Sequence, residues 1–309
     1  MILLCGIPSE PPLALVASAL AELHASAVIL NQRQFANIEF AFSVHGITSK
    51  GQLAIDNAEF KLEDFRGVYA RFMDDRFLPE FKELPAESPL RDHCRQLHER
   101  LSLWLDLCDA RVVNRPSAMA SNGSKPFQAQ LISQLGFDIP ETLVTNDPEL
   151  VLEFRACHKK LVYKSISGVR SIVQILDDAA CRKLDMIRWC PVQFQEFVEG
   201  EDVRVHVVGS QVFATRISSS ATDYRYSQQQ AGRPAELQEC ELEPEVAEKC
   251  VRLSARLSLP FAGIDLRITP EHRTYCFEVN PSPGFSYYQA HTGQQIAKAV
   301  AEYLTATPH

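Results

Sequence analysis

The sequence predicts a mixed α/β protein with α+β character, and three patterns carry that prediction. In the first 115 residues, short apolar strands alternate with amphipathic helical stretches, as in an α/β domain. Further on, Val192–Val198, Val203–Val208 and Val212–Ile217 follow one another as strands with no helix between them. Near the C terminus, residues 263–284 read as two strands around Pro270-Glu271-His272-Arg273, with β-branched and aromatic residues alternating with polar ones.

Taken in order, Ile2–Ile7 is a short buried strand, and Leu13–Leu23 a helix entered through Pro11-Pro12. Ala27–Leu30 is the next strand. Ile38–Val44 and Gln52–Asp56 flank His45-Gly46 and Lys50-Gly51 as a hairpin, and Gly67–Arg71 is another strand. Leu97, Leu101, Trp104, Leu105 and Cys108 form one apolar helical stripe, which reads as core. Turn residues at Asn114-Arg-Pro-Ser and Ser121-Asn-Gly-Ser124 then mark a domain boundary. Ser124 caps a helix that carries Phe127, Leu131 and Leu135 inward and stops at Gly136. Pro140–Val144 is a strand, Asp147-Pro148 opens a helix through Phe154, and Lys160–Lys164 and Ser171–Leu176 are strands around a Ser/Gly loop. Residues 218–236 are polar and long for a connector, which points to a functional or mobile loop. Val246, Cys250, Leu253 and Leu257 form a further inward stripe. Thr292-Gly-Gln-Gln295 reads as a capping box for a last helix carrying Ile296, Val300 and Leu304 inward.

A chain of 309 residues is long enough for about two domains. Its 46% hydrophobic and 23% charged residues are those of a globular protein, and a net charge of −8 argues against a nucleic-acid surface. The nine cysteines include no Cys-x-x-Cys pair, which fits reduced thiols in the cytoplasm. Cys94 and His98 share a helical i,i+4 spacing, but two ligands make no zinc site. The apolar start lacks the basic residues of a signal peptide, since Arg33 is the first Lys or Arg, and no apolar stretch spans a bilayer. A cytoplasmic protein without membrane or nucleic-acid partners is expected.

The hairpin carries the chemistry. If its turn closes on Thr269 and Thr274, Leu266 lies opposite Phe277 and Ile264 opposite Val279 on one apolar face. Alternation then sends Asp265, Arg267, Glu278 and Asn280 to the other face, with Asp265 directly across from Glu278. Opposed like charges are destabilising and call for a cation. Two carboxylates and an amide oxygen are hard ligands of the kind Mg²⁺ takes together with substrate phosphates. Alternatively, Arg267 neutralises an ordinary solvated strand.

Four features stand in a fixed order: Lys125 at a helix cap; Lys164 ending a strand before the loop Ser165-Ile-Ser-Gly168; Gln195-Glu-Phe-Val198 followed by Glu-Gly-Glu-Asp-Val-Arg204; and the carboxylate hairpin ending Phe277-Glu-Val-Asn-Pro-Ser-Pro-Gly284. This order resembles the ATP-grasp superfamily over nearly the whole chain, and most of all the RimK-like amino-acid ligases. The N-terminal half is more similar to the peptide-modifying graspetide synthetases of the same clan. The resemblance implies an ATP-grasp fold with an N-terminal RimK-like α/β domain (1–115), a small central domain (116–195) and a C-terminal antiparallel sheet domain (196–309). It implies ATP between the last two, and two Mg²⁺ ions on Asp265, Glu278 and Asn280, with Mn²⁺ as an alternative ion.

By the same resemblance, Lys125 and Lys164 meet the α- and β-phosphates as point charges, and backbone amides around Ser165, Ser167 and Gly168 cover them. No Gly-Lys-Ser/Thr ending makes this a Walker loop, and Arg170 stands where the look-alikes carry a small residue. The Glu196 carbonyl and Val198 N–H read the adenine edge. Glu201 accepts the ribose hydroxyls, with Glu199 as the alternative. Arg204 and Arg225 are candidates for holding the phosphoryl group and the substrate carboxylate, since a planar guanidinium meets either bidentately; both can equally be surface ion pairs. Arg216 is a weaker candidate, Asp223 is the one loop acid available as a base, and His206 receives no role.

The implied activity is an ADP-forming carboxylate–amine ligase acting through an acyl phosphate on a peptide or amino-acid derivative. A graspetide-type macrocyclase forming side-chain esters or amides is the alternative, and a non-catalytic ATP-binding regulator or a peptide-binding adaptor are the competing classes. A homodimer is left open.

Overall fold

The computed structural model describes residues 1–165, 173–219, 232 and 235–306. Strands β1 (Ile2–Gly6), β2 (Ala27–Asn31), β3 (Ile38–His45), β4 (Thr48–Ile55), β5 (Ala58–Lys61), β6 (Gly67–Arg71) and β7 (Arg111–Val113) build the N-terminal part. Four of them form a parallel sheet in the order β2-β1-β6-β7. β1 is buried along its whole length because both faces are covered. Leu3 and Cys5 meet the stripe of helix Pro89–Leu107, while Ile2 and Leu4 meet helix Pro11–Glu22 and the last helix, Ile296–Thr305. The C-terminal helix therefore closes the core of the N-terminal sheet.

The expected hairpin at Ile38 is present, with a tighter turn than the sequence suggests. β3 and β4 pair to His45↔Thr48 across Gly46-Ile47, where Gly46 has φ +63°. Lys50-Gly51 lies in the strand, and β5 adds a third strand that composition did not announce.

The second sheet, antiparallel in the order β10-β9-β11-β8, holds β8 (Thr142–Thr145), β9 (Leu161–Ser165), β10 (Gln174–Ile175) and β11 (Val192–Glu196). Helix Pro148–Cys157 packs Val151 against Leu161 and Phe194, and its N-cap Asp147 accepts a 2.9 Å bond from the Glu149 N–H.

The third sheet holds β12 (Glu201–Val208), β13 (Gln211–Ser218), β14 (Glu236–Cys240), β15 (Phe261–Ile268) and β16 (Thr274–Asn280), in the antiparallel order β14-β13-β12-β15-β16. Val203, Val205, Val207, Ile264, Leu266, Cys276 and Val279 face Cys250 and Leu253 of helix Pro244–Arg256. All nine cysteines are free thiols, and burial pushes Cys250 up to about 12. Among the described residues no helix is long and apolar enough to cross a membrane.

The structure corrects three expectations. Phe127 is 51% exposed; helix Lys125–Gln134 instead turns Gln128 and Ile132 inward, four residues apart on one face, with Leu131 and Leu135 half-buried against that core. Thr292 does not cap the last helix, because it ends the preceding helix Ser286–Thr292, where its hydroxyl donates to the Tyr288 carbonyl. The N-cap of Ile296–Thr305 is Gln295, and the side chain of Gln289 accepts from the Ala297 N–H at 2.9 Å. Finally, the hairpin turn is one residue tighter than expected: it closes on Thr269 and Arg273, the Thr269 N–H donating to the Arg273 carbonyl at 3.0 Å. Ile268 therefore pairs with Thr274 and Leu266 with Cys276, and a bulge at Phe277 restores Asp265↔Glu278 and Ile264↔Val279. Without that extra residue, the slip would turn Glu278 toward the core beside Ile264.

Two buried amides tie this hairpin to distant chain. β16 is an edge strand, and Gln128 brackets its outward backbone at Val279: Nε2 donates to the carbonyl at 2.9 Å and Oε1 accepts from the N–H at 2.8 Å. Asn114 does the same at the start of β15. Its Oδ1 accepts from the Phe261 N–H at 3.1 Å, and its Nδ2 donates to the carbonyls of Phe261 and Pro281 at 2.6 and 2.5 Å.

His206 on β12 is fully buried, its ring set edge-on to Tyr288 at 4.9 Å and near Phe261 at 6.2 Å. Neither ring nitrogen has a hydrogen-bond partner among the described residues. Burial, and then the Arg204 guanidinium, push its pKa well below the ordinary 6.5.

Two outcomes follow for stability. Gln128→Leu strands the Val279 N–H and carbonyl and should cost about 2 kcal/mol, read as a lower urea midpoint. Below the ordinary 6.5 of His206 the unfolded chain binds a proton that the native chain excludes, so stability present at neutral pH falls as pH drops. His206→Phe should flatten that acid-side loss in melting curves taken from pH 7 to about 5; identical slopes in parent and variant would refute the assignment.

Candidate active site

Three adjacent strands place charges in one row. Asp265 on β15 lies opposite Glu278 on β16 and, on its other side, opposite Arg204 on β12. Directly opposed residues share a sheet face, so all three side chains project the same way. Arg204 Nη1 donates to Asp265 Oδ1 at 2.6 Å, with the side chains only 6% and 18% exposed. Lys125, first residue of its helix, puts Nζ 3.8 Å from Glu278 Oε2. Each carboxylate therefore has its own cation.

The neutralising group is not Arg267. That guanidinium donates to Asp202 at 2.8 Å and to the Val198 carbonyl at 2.8 Å, and lies 5.2 Å from the Phe277 ring centre. The solvated-strand alternative built on Arg267 is thereby overturned.

Gly263 makes room for Arg204. A Cβ there would come within 2.1 Å of Arg204 Nη2 and 2.7 Å of Pro283 Cβ. A single Gly inside a strand pattern is the sequence sign of such a close approach. Gln128 and Asn114 left no comparable sign, because isolated amides in turn-rich or helical sequence are ordinary.

Asn280 pairs with Gly263, and its Oδ1 accepts from the Ser282 N–H at 2.9 Å. Among the described residues no cluster of three His, Cys, Asp or Glu gathers. The candidate ligand set is thus two carboxylates and an amide, all hard oxygen donors, which suits Mg²⁺ shared with a polyphosphate.

The remaining candidates lie elsewhere. Lys164 on β9 is 8% exposed and sits opposite Gln193 of β11, and Ser165 follows it opposite Val192. Glu196 ends β11; its N–H donates to the Glu141 carbonyl and its Oε1 accepts from the Glu141 N–H, both at 3.0 Å. Val198 is buried on the connection to β12. Glu201 opens β12, where it pairs with Arg216 Nε at 3.2 Å on the exposed surface, which accounts for Arg216. Ser167, Gly168, Arg170, Asp223 and Arg225 lie outside the described residues.

Comparison with known proteins places this chain in a family. The RimK-like ATP-grasp domain matches residues 124–304. Relatives named probable alpha-L-glutamate ligase are 27% identical in Photobacterium profundum, over 64% of this chain and 68% of theirs, and 28% identical in Pseudomonas paraeruginosa, over 62% and 66%. The matched region is about two thirds of each relative's length. Among solved structures, a Chryseobacterium gregarium RiPP-associated ATP-grasp ligase in complex with ADP, leader and core peptide superposes with a TM-score of 0.83 at 23% identity, covering 98% of this chain and 96% of that one. The macrocyclase MdnC of Microcystis aeruginosa, bound with precursor peptide MdnA, gives 0.80 at 21%, covering 98% and 99%. At these identities the superpositions establish the shared fold. On the family match over more than half its length, the chain belongs to the RimK-like ATP-grasp family and is an ADP-forming ATP-grasp ligase.

Proposed function

We propose that this ligase activates a carboxylate of a peptide or amino-acid derivative with ATP and passes the acyl group to an amine. The observation that carries the reading is the row Arg204–Asp265–Glu278–Lys125, two opposed carboxylates each flanked by a cation on one sheet face. The three parts 1–115, 116–195 and 196–309 are the division that goes with it, ATP lying between the last two.

Asp265, Glu278 and Asn280 would hold Mg²⁺, which supplies neutralising charge to the triphosphate. Lys125 and Lys164 would meet the phosphates from different elements, and the backbone after Ser165 would cover them. The Glu196 carbonyl and Val198 N–H would read the adenine. Glu201 would exchange Arg216 for the ribose hydroxyls, an exposed pair that costs little to break. Arg204 would hold the transferring phosphoryl group, and Arg225 the substrate carboxylate. A carboxylate oxygen attacks the γ-phosphorus and ADP departs. The amine nitrogen then bonds to the acyl carbon as the C–O bond to phosphate breaks, and its proton leaves with phosphate.

A macrocyclase that joins side chains within one peptide is the second reading. It is favoured by the alignment of 98% of this chain, N-terminal hairpin included, with structures solved in complex with precursor peptides. An edge of the β3-β4-β5 sheet could add an extended peptide strand. Mass spectrometry after incubation with ATP and candidate peptides separates the two: loss of water marks an internal ester or amide, and gain of a residue marks ligation.

Glu278→Gln should fold normally yet lower ATP turnover by about 100-fold, read as ADP release; full turnover would remove Glu278 from the metal site. Lys125→Met and Lys164→Met should each weaken ATP binding about tenfold in calorimetry, a loss of about 1.4 kcal/mol. Unchanged affinity in both would return the lysines to a structural role.

A further inference from the structure

Arg71 closes β6 beside Gly6, at the carboxyl end of the parallel sheet. Its side chain is 10% exposed, and each of its three nitrogens donates at least one hydrogen bond. Nη2 reaches Glu10 Oε1 at 2.6 Å, and Nε reaches both Glu10 oxygens at 3.2 Å. Nη1 donates to Ser282 Oγ at 3.2 Å and to the Pro283 carbonyl at 3.1 Å. Ser282 in turn donates its N–H to Asn280 Oδ1. A hydrogen-bonded chain therefore runs from the candidate ligand Asn280 to Glu10, which stands just before helix Pro11–Glu22.

A cavity of about 400 Å³ opens on this group, with Ile7, Ser9, Phe72 and Met73 completing its walls. A second, of about 840 Å³, shares Phe72 and Ser282 with it and continues past Asp75, Arg76 and Arg95. Small-molecule and side-chain sites fall in this size range. The smaller cavity is not built for an anion, because the Glu10 carboxylate stands in its wall and is already paired with Arg71. Its acceptor capacity belongs to Glu10, one-third exposed, whose Oε2 receives a single N–H. A carboxylate with spare lone pairs suits a ligand that presents N–H or O–H.

We propose that this cavity is the acceptor subsite: it holds the amine- or hydroxyl-bearing group that attacks the acyl phosphate, with Glu10 accepting its hydrogen bond. Arg71 is a positioning residue that keeps Glu10 and the Pro281–Gly284 loop in fixed relation to Asn280. The nucleophile's lone pair forms the new bond to the acyl carbon, the C–O bond to phosphate breaks, and the nucleophile's proton departs with phosphate. The inference rests on the ligase reading above.

The test uses the full chain with ATP, a synthetic Glu-containing peptide as acyl donor, and lysine amide or threonine amide as acceptor, against hydroxylamine as a small nucleophile that needs no subsite. Glu10→Gln and Glu10→Ala should raise the acceptor KM at least tenfold while hydroxamate formation stays within twofold. Met73→Trp leaves the Glu10–Arg71 pair intact and fills the cavity from its wall, so it should block acceptor transfer and spare the hydroxamate. Arg71→Lys should lower kcat for transfer more than for hydroxamate. Amide and ester products are told apart by cleavage in mild base, and either supports the subsite. Equal loss of both reactions in the Glu10 and Met73 variants, or unchanged acceptor KM, would overturn it. Absence of hydroxamate with the parent chain would overturn the proposed activation of a peptide carboxylate, and the subsite with it.

Discussion

The opposition of Asp265 and Glu278 across β15 and β16 is the constraint around which the rest of the site is built. Two like unit charges about 5 Å apart at an effective dielectric near 20 repel by about 3 kcal/mol, more than one cross-strand pair can offset. The fold meets this by bringing a cation to each side, Arg204 from β12 and Lys125 from a helix start. Each cation has its own structural requirement. Arg204 needs the missing Cβ of Gly263, and Lys125 needs its helix held against the sheet edge, which the Gln128–Val279 clamp does.

The same economy explains the Phe277 bulge. The tight turn at 269–273 sets the upper ladder in one register, and the apolar core requires Val279 opposite Ile264. Only an extra residue reconciles the two, and it also turns the Phe277 ring toward Arg267 rather than the core. Cys276 takes the buried place beside Leu266, where burial keeps its thiol protonated well above the ordinary range.

The C-terminal sheet is not an independent platform. Its loop after Asn280 is gripped by Asn114 and Arg71, and the helix that ends the chain fills the core beneath β1. Movement between the N-terminal sheet and the carboxylate row is therefore resisted by buried hydrogen bonds, which are costly to leave unmade. That rigidity suits a site where a reacting carboxylate, a phosphoryl group and a nucleophile must be kept in line.

Period-two alternation in residues 263–280 put Asp265 and Glu278 on one face, because alternation encodes which side chains share a face. Their direct opposition, however, holds only because the Phe277 bulge, which no local pattern announced, offsets the tighter turn. Ordered motifs from Lys125 to Asn280 likewise made the family legible, since the match spans the same stretch. Helix Pro89–Leu107 and strands β1, β6 and β12 were legible for the same local reason. What the sequence could not determine is which elements meet. Phe127 carries the apolar character of a core residue and yet faces out, and Thr292 fits a capping pattern that belongs to another helix's end. The clamps join residues 147 and 151 positions apart, and Arg71 reaches Ser282 across 211. No local pattern records such contacts. Only the packed fold, where buried backbone groups and opposed charges must each find a partner, decided them.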